Sequence, residues 1–326
     1  MALLCLLVVL LSCLSLLLGS QGIGDIIVFL NLYLTDPDLF FIIVTEIRVP
    51  RTSLALTVGG TLGLCGAVLQ GLLRNPLAEP YILGISSSAA LGSVSVLYFG
   101  LSASLPLATS LGGVLGTVLA TSTLLIIAGK RYDTLTLILG GVALNAIMGA
   151  LTSLLLNLAP NPYAALEIIF WMFGSFADRS NQHLFLALPF MFSGWCLLLY
   201  CGRCLDALTL GEDVATTLGF NLKWTKTIAI CGCALSVGAA VATAGVISFV
   251  GLIVPHILRP FVSDSPSKLL WASLLGGAIL MLAADIGVRL INTHMELKIG
   301  VLTALVGAPF FFHLIYSQNK AQQFHE

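Results

Sequence analysis

Ten apolar runs follow one another along this chain with short polar joints between them, near 2–18, 52–73, 82–99, 105–128, 135–158, 184–202, 227–245, 247–258, 269–291 and 299–317. A helix needs about 20 apolar residues to cross a bilayer, so each run reads as a membrane segment and the eighth is too short to cross alone. Composition agrees. Only 9% of the 326 residues are charged and 58% are hydrophobic, whereas a soluble domain carries about 25% charged residues. The expected fold is all-α: a polytopic membrane protein forming one transmembrane domain over 1–326. Met1 to Leu18 lacks a basic leader and a clean A-x-A site, so it reads as the first span rather than as a signal peptide.

Lys and Arg residues between the segments set the expected orientation. With both termini in the cytoplasm, nine fall inside (Arg74, Lys130, Arg131, Arg203, Lys223, Lys226, Arg259, Lys268 and Lys320) and five outside (Arg48, Arg51, Arg179, Arg289 and Lys298). Nine against five favours this orientation over its inverse.

Thr243 to Arg259 is the most unusual stretch. Gly245 and Gly251 allow other backbones to approach, and Pro255 removes a backbone donor, so the helix here is expected to be thinned, closely packed and interrupted. Broken helix at membrane depth is tolerated only where protein buries it or a watery cavity lies beside it, which points to a pathway. A similar pattern occurs earlier. Gly59, Gly63 and, one step off, Gly66 can line a close-packed face of the second helix, Gln70 is its polar exception, and Arg74-Asn-Pro-Leu-Ala-Glu-Pro80 forces an irregular cytoplasmic turn. The two patterns suggest a loose repeat of 46–158 and 227–317.

Pro50 is placed to start the second helix, with Arg48 and Arg51 flanking that start. Headgroup anchoring is one reading of these arginines. A segment from Pro160 to Arg179 is expected to lie at the outer surface with Trp171 at headgroup level. On the inner side, the cytoplasmic loop 205–226 is the longest polar stretch. Asp206 can cap a short helix, Gly211 interrupts it, and Glu212 to Leu218 forms another turn or two ended by Gly219. Val214 and Leu218, with Ala215 beside them, give this knob an apolar face for docking, while a solvated loop is the plainer alternative.

Catalytic motifs are missing. The chain has no G-x-x-x-x-G-K-[ST] phosphate loop, HExxH or GxSxG, so no ATP hydrolysis of its own, no cofactor and no embedded hydrolase are expected. The eight cysteines, including Cys201 and Cys204, read as small packing residues, and His256, His294 and His313 as polar end-groups. Asp285 and Arg289 stand four apart and read as an intrahelical ion pair rather than a proton relay. A net charge of -1 and no basic tract leave no case for nucleic acid.

Five strings then occur in one order: Arg48-Val-Pro-Arg51, Arg74 to Pro80, Phe249 to Arg259, Asp285 to Arg289, and Gly300 to Phe310. Together, from about Glu46 to Leu314, they resemble the FecCD family, the ten-helix permeases of type II ABC importers for ferric siderophores, haem and cobalamin. The resemblance implies a bacterial inner-membrane permease and a translocation path between it and a second permease copy. Two ATPase subunits would sit inside and a periplasmic binding protein outside. Arg48, Arg51 and Arg289 match arginines that look outward to glutamates of the binding protein. Leu210, Gly211, Glu212, Asp213, Val214, Ala215, Leu218 and Gly219 match the coupling helices that enter a groove on the ATPase. Thr134 matches an inner gate position, and Asn75 with Leu77 a second inner constriction. Two departures stand out. Lys298 replaces the family's usual proline, and Ser263-Asp-Ser-Pro266 replaces a common Gly-Asp-His-Arg. The expected cargo is an iron chelate, siderophore or haem, with cobalamin the alternative. An ion-coupled secondary transporter is the rival mechanism, and few intramembrane acids support it.

Overall fold

The computed structural model describes residues 1–19, 24–105, 107–129, 134–262, 265–291 and 296–323. His294, the inner turn at 130–133 and the departures Ser263 and Asp264 lie outside the described residues, as does the His313 side chain. The elements are helices: α1 (Ala2–Leu17), α2 (Gly24–Thr35), α3 (Pro37–Ile42), a wider π-helical turn (Ile43–Arg48), α4 (Val49–Leu73), α5 (Ile85–Tyr98), α6 (Leu101–Ser104), α7 (Ala108–Ala128), α8 (Thr134–Asn157), α9 (Pro162–Met172), α10 (Asn181–Tyr200), α11 (Gly202–Leu208), α12 (Glu212–Thr217), α13 (Leu222–Ala244), α14 (Val250–Leu258), α15 (Pro266–Leu290) and α16 (Ile299–Gln323). Among the described residues, six helical stretches are long and apolar enough to cross a membrane.

Buried almost throughout, α4 forms the centre and packs against α15, α14, α13 and α10. Its glycines explain the fit. A Cβ on Gly59 would overlap the Gly277 carbonyl, one on Gly63 the Ser273 carbonyl, and one on Gly66 the Gly251 carbonyl. Gly59 and Gly63 thus seat α15, while Gly66, rotated off that stripe, seats α14. By contrast, α8 buries only Leu137, Gly141, Leu144 and Thr152 and turns apolar residues such as Leu139, Val142 and Leu154 outward.

Interruption of the α13–α14 stretch occurs at Gly245–Phe249, not at Pro255. Gly245 takes φ +80° and Phe249 φ +69°, and α14 then continues through Pro255 to Leu258. A proline six residues into a nine-residue helix removes a bond near its end, whereas left-handed backbone at both edges of the break redirects the chain. Protein covers the break: Ser175 N–H donates to Ala244 O (2.7 Å), and Ile299 N–H donates to Gly174 O (3.0 Å).

Three further expectations change. The turn after α4 does not stay at the inner surface. Glu79, Pro80, Tyr81 and Ser86 line a small cavity with Leu62, eleven residues above the end of α4 and therefore about 17 Å into the bundle at 1.5 Å per residue. It survives at that depth because it bonds to itself: Leu77 N–H donates to Asn75 Oδ1 (2.9 Å), Ala78 N–H to Asn75 O (3.1 Å) and Ile82 N–H to Glu79 O (3.0 Å). This re-entrant course leaves α5 only 14 residues long. Trp171 is buried in the core rather than held at headgroup level, with its backbone carbonyl packed against Gly245. Of the cysteines, Cys65, Cys201, Cys204 and Cys233 are buried as packing residues, but Cys5, Cys13 and Cys196 lie on outward-facing helix surfaces.

Candidate functional site

Chemistry-bearing side chains gather at the two ends of the bundle. At the end where α4 begins and α15 finishes, Arg51 forks onto Asp285, with Nε–Oδ1 3.0 Å and Nη2–Oδ1 2.9 Å, and also reaches Glu296. Arg289 pairs with the other oxygen of Asp285, the intrahelical ion pair expected from their spacing. Its second nitrogen donates to Ser15 O (2.8 Å) and Leu18 O (2.9 Å). Arg48 donates to Leu16 O (2.8 Å) and Leu17 O (2.7 Å) and lies 3.5 Å over the Phe29 ring. Arg48 and Arg289 thus take up the free carbonyls ending α1, and Arg51 ties the start of α4 to α15 through Asp285. Their guanidinium groups face the chain's own oxygens rather than projecting outward: Arg48 is 8% exposed and Arg289 4%. Glu296 and Asp285 are the partners that short-range sequence spacing could not reveal for Arg51, since they lie 245 and 234 residues away.

At the opposite end, α11 and α12 form the knob expected from the sequence. Gly211 (φ +123°) separates them and Gly219 (φ +89°) ends the second, positions that suit glycine. Ala215 is fully buried and anchors the knob, whereas Leu210, Val214 and Leu218 are exposed. The cap differs from expectation. Asp206 lies inside α11, and its carboxylate accepts the Ser267 N–H (2.9 Å) in the first turn of α15. Because α11 begins at Gly202, four residues earlier, Asp206 serves a neighbouring helix start instead of its own.

The expected inner gate positions lie close to this knob. Lys226 is 5% exposed and donates to Glu212 on α12 (3.3 Å) and to Thr134 at the start of α8 (3.4 Å), so a single ammonium touches both knob and gate position. Asn75 and Leu77 sit in the re-entrant turn, which Arg74 opens in left-handed conformation (φ +48°). Arg74 does not pair with Glu79. It donates to Leu208 O at the end of α11 (2.7 Å), while the Glu79 carboxyl is hydrogen-bonded by the backbone of Phe249 across the helix break. Sequence reasoning overlooked Lys226 and Arg74 in these roles, since their partners belong to other helices.

Comparison with known proteins decides what this arrangement belongs to. Residues 6–317 match the model of the FecCD transport family. The chain belongs to that family. It is 38% identical over 278 residues to the Fe(3+) dicitrate transport system permease protein FecD of Escherichia coli (strain K12), covering 84% of this chain and 85% of that protein. It is also 38% identical over 285 residues to the cobalamin import system permease protein BtuC of Halobacterium salinarum, covering 86% and 74%. A solved inward-facing conformation of a metal-chelate type ABC transporter matches with a TM-score of 0.82 at 33% identity, covering 96% of this chain and 97% of that one. A FecCD chain with these apolar helices is a multi-pass membrane permease, and its work is transport rather than catalysis.

Proposed function

We propose that this chain forms a single transmembrane unit of an importer that moves a metal chelate, an iron siderophore or haem, across the bacterial inner membrane. Two copies of a separate ATPase supply the energy, a periplasmic binding protein supplies the cargo, and a second permease copy completes the path. Both termini face the cytoplasm. The observation carrying this reading is a knob, Leu210 to Gly219, that exposes Leu210, Val214 and Leu218 and is linked through Lys226 to Thr134 and, by way of Leu208, to the Arg74 that opens the Asn75–Leu77 turn, in a chain whose family is permeases. ATP-driven closure of the partner would push the knob and, through it, the inner gate. Of the outer arginines, Arg51 takes the docking role first. Its partner Glu296 keeps 31% of its side chain exposed, so an incoming carboxylate from the binding protein can exchange with it. Arg48 and Arg289 support the site from beneath, and the exposed apolar face of α8 meets lipid or the second copy.

Affinity purification from native membranes, followed by an ATPase assay and identification of co-purifying chains, tests this reading. A stoichiometric ATPase stimulated by a binding protein supports it, and uptake of labelled ferric siderophore, haem and cobalamin in the reconstituted complex assigns the cargo. A cobalamin importer is the second reading, favoured by the likeness to a cobalamin permease. Gradient-driven uptake by a complex lacking an ATPase would overturn both.

A further inference from the structure

Gln70 is an expensive residue to keep where it lies, 3% exposed inside the central helix. An amide buried among apolar side chains costs several kcal/mol unless its bonds are made, and a Leu would fill the same space. All its bonding groups are used. The side-chain N–H donates to Gly251 O (3.2 Å) and Leu252 O (3.4 Å) in the first turn of α14, and its carbonyl accepts from Arg259 Nη2 (3.1 Å) at the far end of that helix. Gln70 therefore grips α14, the helix that follows the break, at both ends. One turn further along α4, Arg74 reaches Leu208 O, two residues before the knob, and opens the turn carrying Asn75 and Leu77. Asn75 N–H in turn donates back to Gln70 O (3.2 Å).

A cavity of about 420 Å³ lies among these groups, lined by Gln70, Arg74, Asn75, Leu208, Thr209 and Arg259. Among the described residues no ion pair holds Arg74 or Arg259 to a carboxylate; their bonds described here go to a carbonyl and an amide oxygen. Such bonds exchange with water at modest cost, and the cavity gives the elements room to shift. The seam thus joins the end of α11, the inner turn and both ends of α14 through two side chains on one helix.

We propose that Gln70 and Arg74 are positioning residues that carry displacement of the coupling knob to the Asn75–Leu77 turn and to α14, the helix that follows the break. This inference rests on the ATP-driven importer reading. The two side chains touch no cargo; they decide whether movement at the knob becomes opening of the path.

The test uses the full complex, permease with its ATPase and binding protein, reconstituted in liposomes, and reads cargo taken up per ATP hydrolysed. Arg74→Met keeps the apolar stem and removes the donors; Gln70→Leu keeps the volume and removes both grips. Each is expected to lower the uptake-to-hydrolysis ratio about tenfold, the equivalent of one charge-assisted hydrogen bond, with assembly and basal ATP hydrolysis retained. Because the two act in series, the double variant should be little worse than either single one. Arg74→Lys, which keeps one donor, should recover part of the ratio. If a variant assembles poorly, the ratio is read per assembled complex and Arg74→Lys still reports. Uptake and hydrolysis falling in parallel at an unchanged ratio, or additive losses in the double variant, would overturn the inference while leaving the importer reading intact. A wild-type complex that shows no ATP-driven uptake would remove both.

Discussion

The two ends of this bundle handle charge in opposite ways. At the arginine-rich end, Arg51, Arg289, Asp285 and Glu296 form a neutral quartet around Asp285, which is fully buried. At the knob end, Arg74 and Arg259 reach across helices to oxygens that carry no formal charge, and Lys226 divides its donors between Glu212 and Thr134. A buried charge network is costly to break, because removing one partner strands the others. Bonds to carbonyls and hydroxyls beside the cavity at the knob end can be exchanged for water. Apart from the partly exposed Glu296, whose exchange the proposed docking uses, the first end is held by mutually dependent charges and the second mostly by exchangeable bonds, which suits the proposed push at the knob.

The sharpest break of that contrast is at Asp285. Asp285→Asn leaves two guanidinium groups short of their shared carboxylate and should cost about 3–5 kcal/mol, read as a large fall in the melting temperature of the detergent-solubilised protein. A variant that melts like wild type would show that the quartet is not what fastens α1 and α15. Next, charge reversal of Glu212 and Asp213, or Gly219→Pro at a backbone that proline cannot adopt, should lower uptake per ATP by about tenfold. For the charge reversal at the exposed Glu212 and Asp213, melting temperature should move far less than at Asp285, whereas Gly219→Pro also loses the Gly219 N–H bond to Thr216 O and should melt lower as well. A matching loss of stability on charge reversal would erase the difference between the ends. Ser15→Ala removes the hydroxyl shared by Thr52 and Arg289 and should cost about 1 kcal/mol in the same melting assay. The smallest expected effect is Lys226→Met. With Glu212 half-exposed, the lost pair should cost under about 1 kcal/mol in stability, and a loss as large as that at Asp285 would show the knob end to be as rigidly charge-locked.

Local pattern made much of this molecule legible. The run near 52–73 became Val49–Leu73, that near 135–158 became Thr134–Asn157, and that near 227–245 became Leu222–Ala244. The Gly59–Gly63 stripe was readable because small residues four apart lie on one side of a helix, with Gly66, one step off, opening the neighbouring side to α14. So were the knob, with glycines at its two left-handed positions, and the Asp285–Arg289 pair, one turn apart. Trp171 went the other way. An aromatic near a span end carries the same local signature whether it faces headgroups or a neighbouring helix break.

Short-range physics made the long apolar helices, the glycine faces that admit another backbone and the glycines of the knob readable, but not the break before α14 or the helix start that Asp206 serves. The tertiary structure alone decided which distant groups meet. It set Arg51 on Asp285 across 234 residues, gave Asp206 to the start of α15, joined Gln70 to both ends of α14, and carried the turn after Arg74 some way into the bundle. The physical reason is the same for each. A buried donor or acceptor in lipid must find a partner somewhere, but its own sequence neighbourhood states only the need, and the packing of the helices selects which partner meets it.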